Sequence, residues 1–501
     1  MPVAQPPPLM SEFFDRLVSL LSYDPGQPLL FNTGLFLFLF LAFLGVYHLV
    51  KGHRRLKMWV VIAFSLYFYY KSSADCVFIL CGVCVSDYFL GRWLGRAGKT
   101  ALGRGIVALN VVLNLGMLVW FKYFNLLGEA FASMVSTEFD PVSVILPAGI
   151  SFFTFRSISY MVDIYRGQLE PCRSFVEYAF FLTFFPPLLA GPVVRAKDLL
   201  PQIHANANPT RQTTAEGLFL IMTGLVKKVV IADFISGNFV TRIFENPLLY
   251  TGFENLMGAI GFTIQLYCDF SGYSDMAIGL ALLLGYRFKD NFMAPFKSQN
   301  PTEFWNRWHI SLSTWLKDYL YIPLGGNRRG KARTQLNLML TMTLGGLWHG
   351  ASAMYIVWGA YNGALLVAHK WLRKVWPTPE ALRGTRTLRA VNIGITFALM
   401  VVGFTFFRAP SMETVGQMAD RIFTDFHLSV APQFVEGYLM IVLALALGFI
   451  AHMTPRTWTT AASGAYTSLP ALWQGVLLAA ILFLVVQASQ NELMPFIYMQ
   501  Y

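Results

Sequence analysis

Long apolar runs separated by short polar loops dominate the chain. A helix needs roughly 17–25 mostly apolar residues to cross a bilayer, and a shorter run can tilt, re-enter or merge with its neighbour. Runs of this kind occupy residues 29–50, 58–70, 76–89, 105–127, 142–161, 175–190, 217–234, 259–284, 336–357, 390–407, 438–450 and 472–486. The pattern predicts an all-α polytopic membrane protein with about eleven transmembrane helices.

Residues 300–333 interrupt this pattern, since they are too polar to span yet lie between strongly apolar runs. Large side chains recur there at intervals of three and four, at Trp305, Trp308, Leu312, Trp315 and Tyr319. On a single helix these side chains would share one face. We therefore predict an amphipathic helix that lies at the membrane interface or re-enters the bundle. A surface helix anchored by its tryptophans is the alternative.

Composition and charge agree with a membrane protein. Of the 501 residues, 55% are hydrophobic and 13% are charged, about half the charged fraction of soluble domains. The net charge of +11 would suit nucleic-acid binding, but the basic residues cluster in loops 51–57 and 92–104. Residues 1–28 and 129–140 are acidic instead. By the positive-inside rule this alternation predicts an extracytoplasmic N-terminus and no nucleic-acid partner.

Residues 1–28 are polar and proline-rich, without the basic start and short apolar core of a cleaved signal peptide. We expect them to form an extracytoplasmic tail that leads into an uncleaved first span. The five cysteines lie mostly in apolar surroundings and lack the paired spacing of zinc ligands. We therefore expect no metal site.

Two histidines are the first candidates for chemistry. His349 lies within the apolar run 336–357, where an ionisable side chain is costly to bury and is rarely idle. A neutral imidazole there could take the proton of an acceptor hydroxyl. The alternative is that His349 only hydrogen-bonds to a neighbouring helix. His309 could orient a substrate, bind an acyl carbonyl or hydrogen-bond within its own helix.

A polar stretch from Asp269 to Asp275 interrupts the apolar run 259–284. Asp269 or Tyr273 could line a polar cavity, whereas Gly272 and its serine neighbours could instead allow close helix packing. The chain contains no Gly-x-Ser-x-Gly nucleophile motif and no nucleotide-binding glycine motif. Any group transfer is therefore expected to run directly from a bound donor to an acceptor.

Taken together, these residues resemble the membrane-bound O-acyltransferase (MBOAT) family, in particular its bacterial alginate O-acetylation branch. The matching stretches are Pro147-Ala-Gly-Ile-Ser-Phe-Phe-Thr-Phe, Phe184-Phe-Pro-Pro, Lys227-Lys-Val-Val-Ile-Ala-Asp, Asp269-Phe-Ser-Gly-Tyr-Ser-Asp, Phe304-Trp-Asn-Arg-Trp-His and Leu347-Trp-His-Gly-Ala. The sequence departs from the usual pattern at Asn306, Arg156 and Ala353, where Arg, Gln and an aromatic residue are common. These departures leave both histidines in place and bear on the choice of acceptor.

The resemblance implies helices around a funnel, with a catalytic core at residues 29–410 and additional C-terminal transmembrane helices at 411–501. It implies that His349 is catalytic and that His309 supports it. A cytoplasmic acyl thioester such as acetyl-CoA would be the donor, with no bound cofactor. The acceptor would be an exported cell-envelope polysaccharide or a periplasmic partner that passes the acyl group on, which suggests a bacterial inner-membrane protein.

The predicted substrate-binding residues are Asp269, Tyr273, Trp305, Arg307, Asn337 and Trp348. Among the polar neighbours, His309, Asn337 and Tyr273 are equal candidates for stabilising the oxyanion. Two other functions remain open from the sequence. One is D-alanyl transfer from a carrier protein to teichoic acid within the same fold. The other is a proton-coupled transporter in which His349 belongs to a proton relay.

Overall fold

The regular secondary structure is helical throughout the part of the chain that the structure describes. The computed structural model describes residues 8–143, 145–375, 384–489 and 496. The α-helices are α1 (Pro8–Leu21), α2 (Gly34–Val50), α3 (Arg54–Ser73), α4 (Val77–Ala97), α5 (Ala101–Leu118), α6 (Phe124–Met134), α7 (Ile150–Arg166), α8 (Phe175–Thr183), α9 (Ala196–His204), α10 (Arg211–Leu225), α11 (Thr241–Glu245), α12 (Gly252–Leu283), α13 (Pro301–Arg307), α14 (Ile310–Leu316), α15 (Lys331–His349), α16 (Ala353–Val375), α17 (Arg386–Arg408), α18 (Met412–Thr424), α19 (Ala431–Gly437), α20 (Leu439–Met453), α21 (Arg456–Ser468) and α22 (Ala471–Ala488). Turns of π-helix lie at Val119–Tyr123, Val226–Asp233, Ser236–Val240 and Lys317–Tyr321. The predicted all-α fold class is confirmed.

Within the described residues, four helical segments are long and apolar enough to cross a membrane. They are Arg54–Ala97, Ala101–Met134, Arg386–Arg408 and Ala471–Ala488. A fifth candidate joins Leu428–Gly437 to Leu439–Met453 through a bend of 95°. The protein therefore crosses the membrane several times, whereas the count of about eleven spans stays a prediction.

Helix α12 is the longest element and shows how local sequence sets a boundary. At its start Thr251 Oγ accepts the Glu254 N–H at 3.3 Å, and a Glu254 carboxylate oxygen accepts the Thr251 N–H at 2.9 Å. This reciprocal capping satisfies donors that the first turn cannot bond internally. The 32 residues of α12 extend for about 48 Å. A Cβ added at Gly272 would lie 2.8 Å from the Gly224 oxygen of α10, so Gly272 does allow close helix packing.

The apolar run 336–357 is not one continuous helix, because it is divided between α15 and α16, and His349 lies at the break. Helix α15 ends at His349 because Gly350 is extended, with φ −167° and ψ 157°. A new helix, α16, starts after Ser352, whose Oγ accepts the Met354 N–H at 3.3 Å. A Gly-Ala-Ser turn is compatible with an apolar composition, so hydropathy alone did not reveal this break.

Two other predicted spans are also shorter than their apolar runs. Within 142–161 the helix begins only at Ile150, after Gly149 in the left-handed region with φ 69°. Within 175–190 helix α8 ends at Thr183. The Pro186-Pro187 pair that follows lacks backbone donors and disfavours helix in the residue before it.

One compact unit comprises Met1–Phe121, Val142–Leu189 and Arg195–Asn206. Its interior holds a fully buried carboxylate, Asp87. Asn110 donates to one carboxylate oxygen at 2.7 Å, and the Tyr178 hydroxyl donates to the other at 2.7 Å. Hydrogen bonds of this kind satisfy the oxygens of a buried acid in an apolar interior.

The second compact unit comprises Lys122–Pro141, Ala190–Val194 and Ala207–Tyr501. It contains both candidate histidines and an aromatic core built around them. Trp308 stacks on Phe304 at 5.5 Å between ring centroids and packs against Phe404 at 5.0 Å. This core carries the site described next.

Candidate active site

His349 is the last residue of α15 and is 5% exposed. Its imidazole lies 4.9 Å from the Trp348 ring, 4.9 Å from the Trp358 ring and 5.4 Å from the Phe407 ring, measured between centroids. The residues come from α15, α16 and α17. We call Trp348, Trp358 and Phe407 the aromatic box. These three side chains surround the imidazole of His349 and exclude water from it.

Two glycines bring α16 close enough to complete the aromatic box. A Cβ added at Gly346 would lie 2.8 Å from the Gly359 Cα, and a Cβ added at Gly359 would lie 2.9 Å from the Thr343 Cα. Neither distance is sterically possible, so the two helices touch backbone to backbone only because both positions lack a side chain. Trp358 precedes Gly359 directly and thereby reaches His349.

His309 lies at a break between two short helices, α13 and α14, and is fully buried. Its backbone is left-handed, with φ 43°. Asn291 holds the break open, because its backbone oxygen accepts the Ile310 N–H at 2.9 Å and its side-chain oxygen accepts the Ser311 N–H at 3.2 Å. The predicted continuous amphipathic helix through Trp305 and Tyr319 is therefore wrong.

Asn291 also sets the tautomer of His309. The Asn291 side-chain oxygen lies 3.2 Å from His309 Nδ1 and accepts the Ser311 hydroxyl at 2.8 Å. The Ser311 backbone N–H can only donate, so its bond to this oxygen fixes the amide orientation, and the side-chain nitrogen donates to Ser274 at 3.1 Å. We assign the proton of His309 to Nδ1, so that Nε2 carries the lone pair. Burial lowers the pKa of His309, which lies outside the candidate spans, and keeps the ring neutral.

Trp348 links the two histidines. Its ring centroid lies 4.9 Å from that of His349 and 6.3 Å from that of His309. Trp305 joins the same region, since its ring lies 5.8 Å from Trp358. The structure therefore brings together four of the predicted site residues: His349, His309, Trp348 and Trp305.

The end of α15 is held by two polar side chains. Lys122 Nζ donates to the Trp348 oxygen at 2.8 Å and to the His349 oxygen at 3.1 Å. The Tyr123 hydroxyl donates to the Leu347 oxygen at 2.8 Å. Sequence reasoning missed Lys122, although a lone lysine in the apolar run 105–127 raises the same question as His349. Asn291 gave no local signal, because its role depends on contacts distant in sequence.

Asp269 and Tyr273 belong to a second buried cluster. Lys228 Nζ lies 2.6 Å from a carboxylate oxygen of Asp269 and 2.8 Å from one of Asp233. The Tyr273 ring packs edge-on against Phe496 at 4.4 Å between centroids. The ion pair with Lys228 gives the buried carboxylate of Asp269 a structural partner. Substrate binding by Asp269 and Tyr273 stays a prediction.

Arg307 and Asn337 also form structural contacts. Arg307 pairs with Glu303 at 2.8 Å and donates to the Met293 oxygen at 3.1 Å. Asn337 Nδ2 donates to the Gly326 oxygen at 3.0 Å. Substrate binding by either side chain is likewise still a prediction.

A buried imidazole enclosed by aromatic rings, beside a second neutral imidazole, is suited to moving a proton where water is excluded. Acyl transfer from a thioester to a hydroxyl is one reaction that uses such a proton acceptor. A sequence model of the membrane-bound O-acyltransferase family, MBOAT, matches residues 172–408. The match includes both histidines.

The chain belongs to the membrane-bound O-acyltransferase family and is an O-acyltransferase. It is 44% identical over 404 residues to "Probable alginate O-acetylase AlgI" of Pseudomonas aeruginosa, covering 79% of this chain and 75% of that one. It is 35% identical to the peptidoglycan O-acetyltransferase of Helicobacter pylori, covering 79% and 80%. The teichoic acid D-alanyltransferase of Bacillus subtilis is more distant, at 26% identity over 70% and 82%.

Proposed function

We propose that this protein moves an acetyl group from a cytoplasmic acyl thioester, such as acetyl-CoA, toward hydroxyls of an exported cell-envelope polysaccharide. The observation that carries the proposal is the buried pair of His349 and His309, both of which lie next to the Trp348 ring. The relatives that acetylate polymers, at 44% and 35% identity, support acetyl as the group transferred.

In this proposal His349 is the general base. It removes the proton of the acceptor hydroxyl while the hydroxyl oxygen attacks the thioester carbonyl. The tetrahedral intermediate then collapses, the carbon–sulfur bond breaks, and the proton returns from His349 to the departing thiolate. No covalent acyl-enzyme is formed, in keeping with the absence of a Gly-x-Ser-x-Gly motif from the sequence.

His309 orients the acceptor in this scheme. With its proton on Nδ1 bonded to Asn291, Nε2 can accept a hydrogen bond from a hydroxyl but cannot donate one to an oxyanion. The tautomer therefore favours Asn337, Tyr273 or another donor for the oxyanion. The Trp305 indole N–H is a further candidate, because it is buried without an acceptor among the residues that the structure describes.

The aromatic box protects the donor. A thioester is hydrolysed if water reaches it beside an active base, and the rings of Trp348, Trp358 and Phe407 surround the imidazole. The enzyme needs no bound cofactor, since the thioester is a substrate.

We place the protein in the bacterial inner membrane with a periplasmic N-terminus. The basic loops 51–57 and 92–104 support a cytoplasmic location for those loops. The donor enters from that side, and the acceptor is the polymer itself or a periplasmic acetyltransferase that passes the group on. The lipid bilayer is the remaining partner.

D-alanyl transfer is the second candidate, supported by the teichoic acid D-alanyltransferase relative at 26% identity. The higher identity of the O-acetylating relatives favours acetyl. Membership of an acyltransferase family also favours transfer over the transporter reading of His349.

The test is release of acetate and of D-alanine from cell-envelope polymer by mild base. Cells would carry the wild-type protein, His349→Ala or no protein, and the amount of each variant in the membrane would be measured. We expect wild-type cells to release polymer-linked acetate and His349→Ala cells to match the deletion. The matched control is His48→Ala, which changes an exposed histidine of α2 and should acetylate normally.

Full acetylation by His349→Ala would refute the role of His349 as the base. Release of D-alanine instead of acetate would replace the proposed cargo while leaving the role of the histidine intact.

A further inference from the structure

Lys122 occupies an unusual position for a lysine. It lies in the π-helical turn Val119–Tyr123 between α5 and α6, within the apolar helical segment Ala101–Met134. A π-turn inserts one extra residue and changes the direction of the side chains around it. A cation within such an apolar segment is costly and needs polar partners.

The partners of Lys122 are peptide oxygens of the helix that ends in His349. The ammonium reaches the Trp348 and His349 oxygens at 2.8 and 3.1 Å, and the neighbouring Tyr123 hydroxyl reaches the Leu347 oxygen at 2.8 Å. The last four carbonyls of any helix lack intrahelical donors. Since Gly350 turns away in an extended conformation, these two side chains bind three consecutive carbonyls at that end.

The charge of Lys122 suits this position. The C-terminal end of a helix carries partial negative charge, which a cation stabilises. Among the described residues, no carboxylate lies within 4.0 Å of the Lys122 ammonium as an ion-pair partner. Its hydrogen bonds to α15 are therefore its main polar interactions, and they fix the backbone of His349 and of Trp348, which belongs to the aromatic box.

We propose that Lys122, assisted by Tyr123, is a positioning residue for acyl transfer. It holds the carbonyl end of α15 so that the imidazole of His349 keeps its place against Trp348. The inference rests on the proposed role of His349 as the base. Lys122 acts through the backbone of that residue and touches no reacting atom.

The experiment compares initial rates in membrane vesicles from the native host, supplied with radiolabelled acetyl-CoA. Label in polymer and in protein is counted and divided by the amount of variant present. Lys122→Met should lower the apparent kcat by about 10–100-fold, because misplacement by about 1 Å is enough for such a loss. The KM for acetyl-CoA should stay unchanged. Lys122→Arg, which keeps the charge and the donors, should recover most of the rate.

The matched control is Lys71→Met. Lys71 also donates to two backbone oxygens, those of Leu20 and Ser22, but these do not belong to the helix of His349. We expect any effect of this change to fall on the amount of folded protein and not on kcat. Tyr123→Phe should produce a smaller fall in kcat than Lys122→Met, since it removes one neutral hydrogen bond.

Three outcomes would overturn the proposal: wild-type kcat in Lys122→Met, a change confined to KM, or a loss that Lys122→Arg does not recover. A parallel His349→Ala arm separates this inference from the function beneath it. If His349→Ala is inactive while Lys122→Met is normal, only the positioning role fails. If His349→Ala is active, the proposed base is wrong and the positioning role fails with it.

Discussion

Replacing Gly346 by alanine tests whether the contact between α15 and α16 sets the geometry of the aromatic box. The added Cβ would lie 2.3 Å from the Tyr355 backbone oxygen and 2.8 Å from the Gly359 Cα. Carbon atoms in contact sit about 3.5–4.0 Å apart, so the helices must separate locally by roughly 0.7–1.2 Å. Backbone atoms cannot rotate away as a side chain could.

This separation would move Trp358 relative to His349. Overpacking of this kind destabilises by about 1–3 kcal/mol. A displacement near 1 Å at a reacting group lowers the rate by up to about 100-fold. We therefore expect Gly346→Ala to unfold at a lower temperature and to transfer acetyl groups about 10–100 times more slowly per folded molecule.

The assay is thermal unfolding of the detergent-solubilised protein, followed by tryptophan fluorescence, together with vesicle acetyl transfer. Gly394→Ala is the matched control, because a Cβ at that position of α17 meets no atom within 4 Å. Alanine favours helix over glycine by up to about 1 kcal/mol, so the control should be at least as stable as the wild type. A Gly346→Ala protein with wild-type stability and rate would refute the backbone contact.

Three further predictions follow from the same unit. Lys228→Met leaves the buried carboxylates of Asp269 and Asp233 without their cation. It should lower the free energy of unfolding by about 3–5 kcal/mol, measured by thermal unfolding, and Asp269→Asn should lower it less. Asn291→Ala removes the acceptor that orients His309 and should slow acetyl transfer by about 10–100-fold, as for partners that orient metal-bound histidines. Asn291→Asp keeps an acceptor and should lose less of the transfer rate. Equal losses of rate in the two variants would contradict the orienting role. Phe407→Ala opens the aromatic box and should raise free acetate relative to polymer-linked acetate, with an unchanged ratio counting against water exclusion.

Much of the fold could be predicted from the sequence because membrane burial depends on composition. The runs at 390–407 and 472–486 correspond closely to α17 and α22, since a helix is the only way for an isolated apolar segment to satisfy its backbone in lipid. His349 was found by the same reasoning, as an ionisable group in an apolar run. The family of the protein also followed from local motifs.

The positions where helices break, and the hydrogen-bond partners of the site residues, depend on contacts that no local sequence pattern contains. Hydropathy could not separate α15 from α16, because Gly350 and Ala351 are as compatible with an apolar run as with a turn. The spacing of three and four between large side chains around Trp308 predicted one helix. Asn291 instead binds the backbone after His309, and the helix breaks there.

The sequence by itself determined that this chain is a helical membrane protein, which residues are ionisable in apolar surroundings, and which family it resembles. Only the tertiary structure decided that His349 ends a helix, that Trp348 lies beside both histidines, and that Lys122 binds the carbonyls of that helix end. The physical reason is the distance along the chain over which each interaction acts. Apolar burial is a property of each segment, whereas hydrogen bonds and ring contacts join residues that are distant along the chain and become neighbours only after the helices pack.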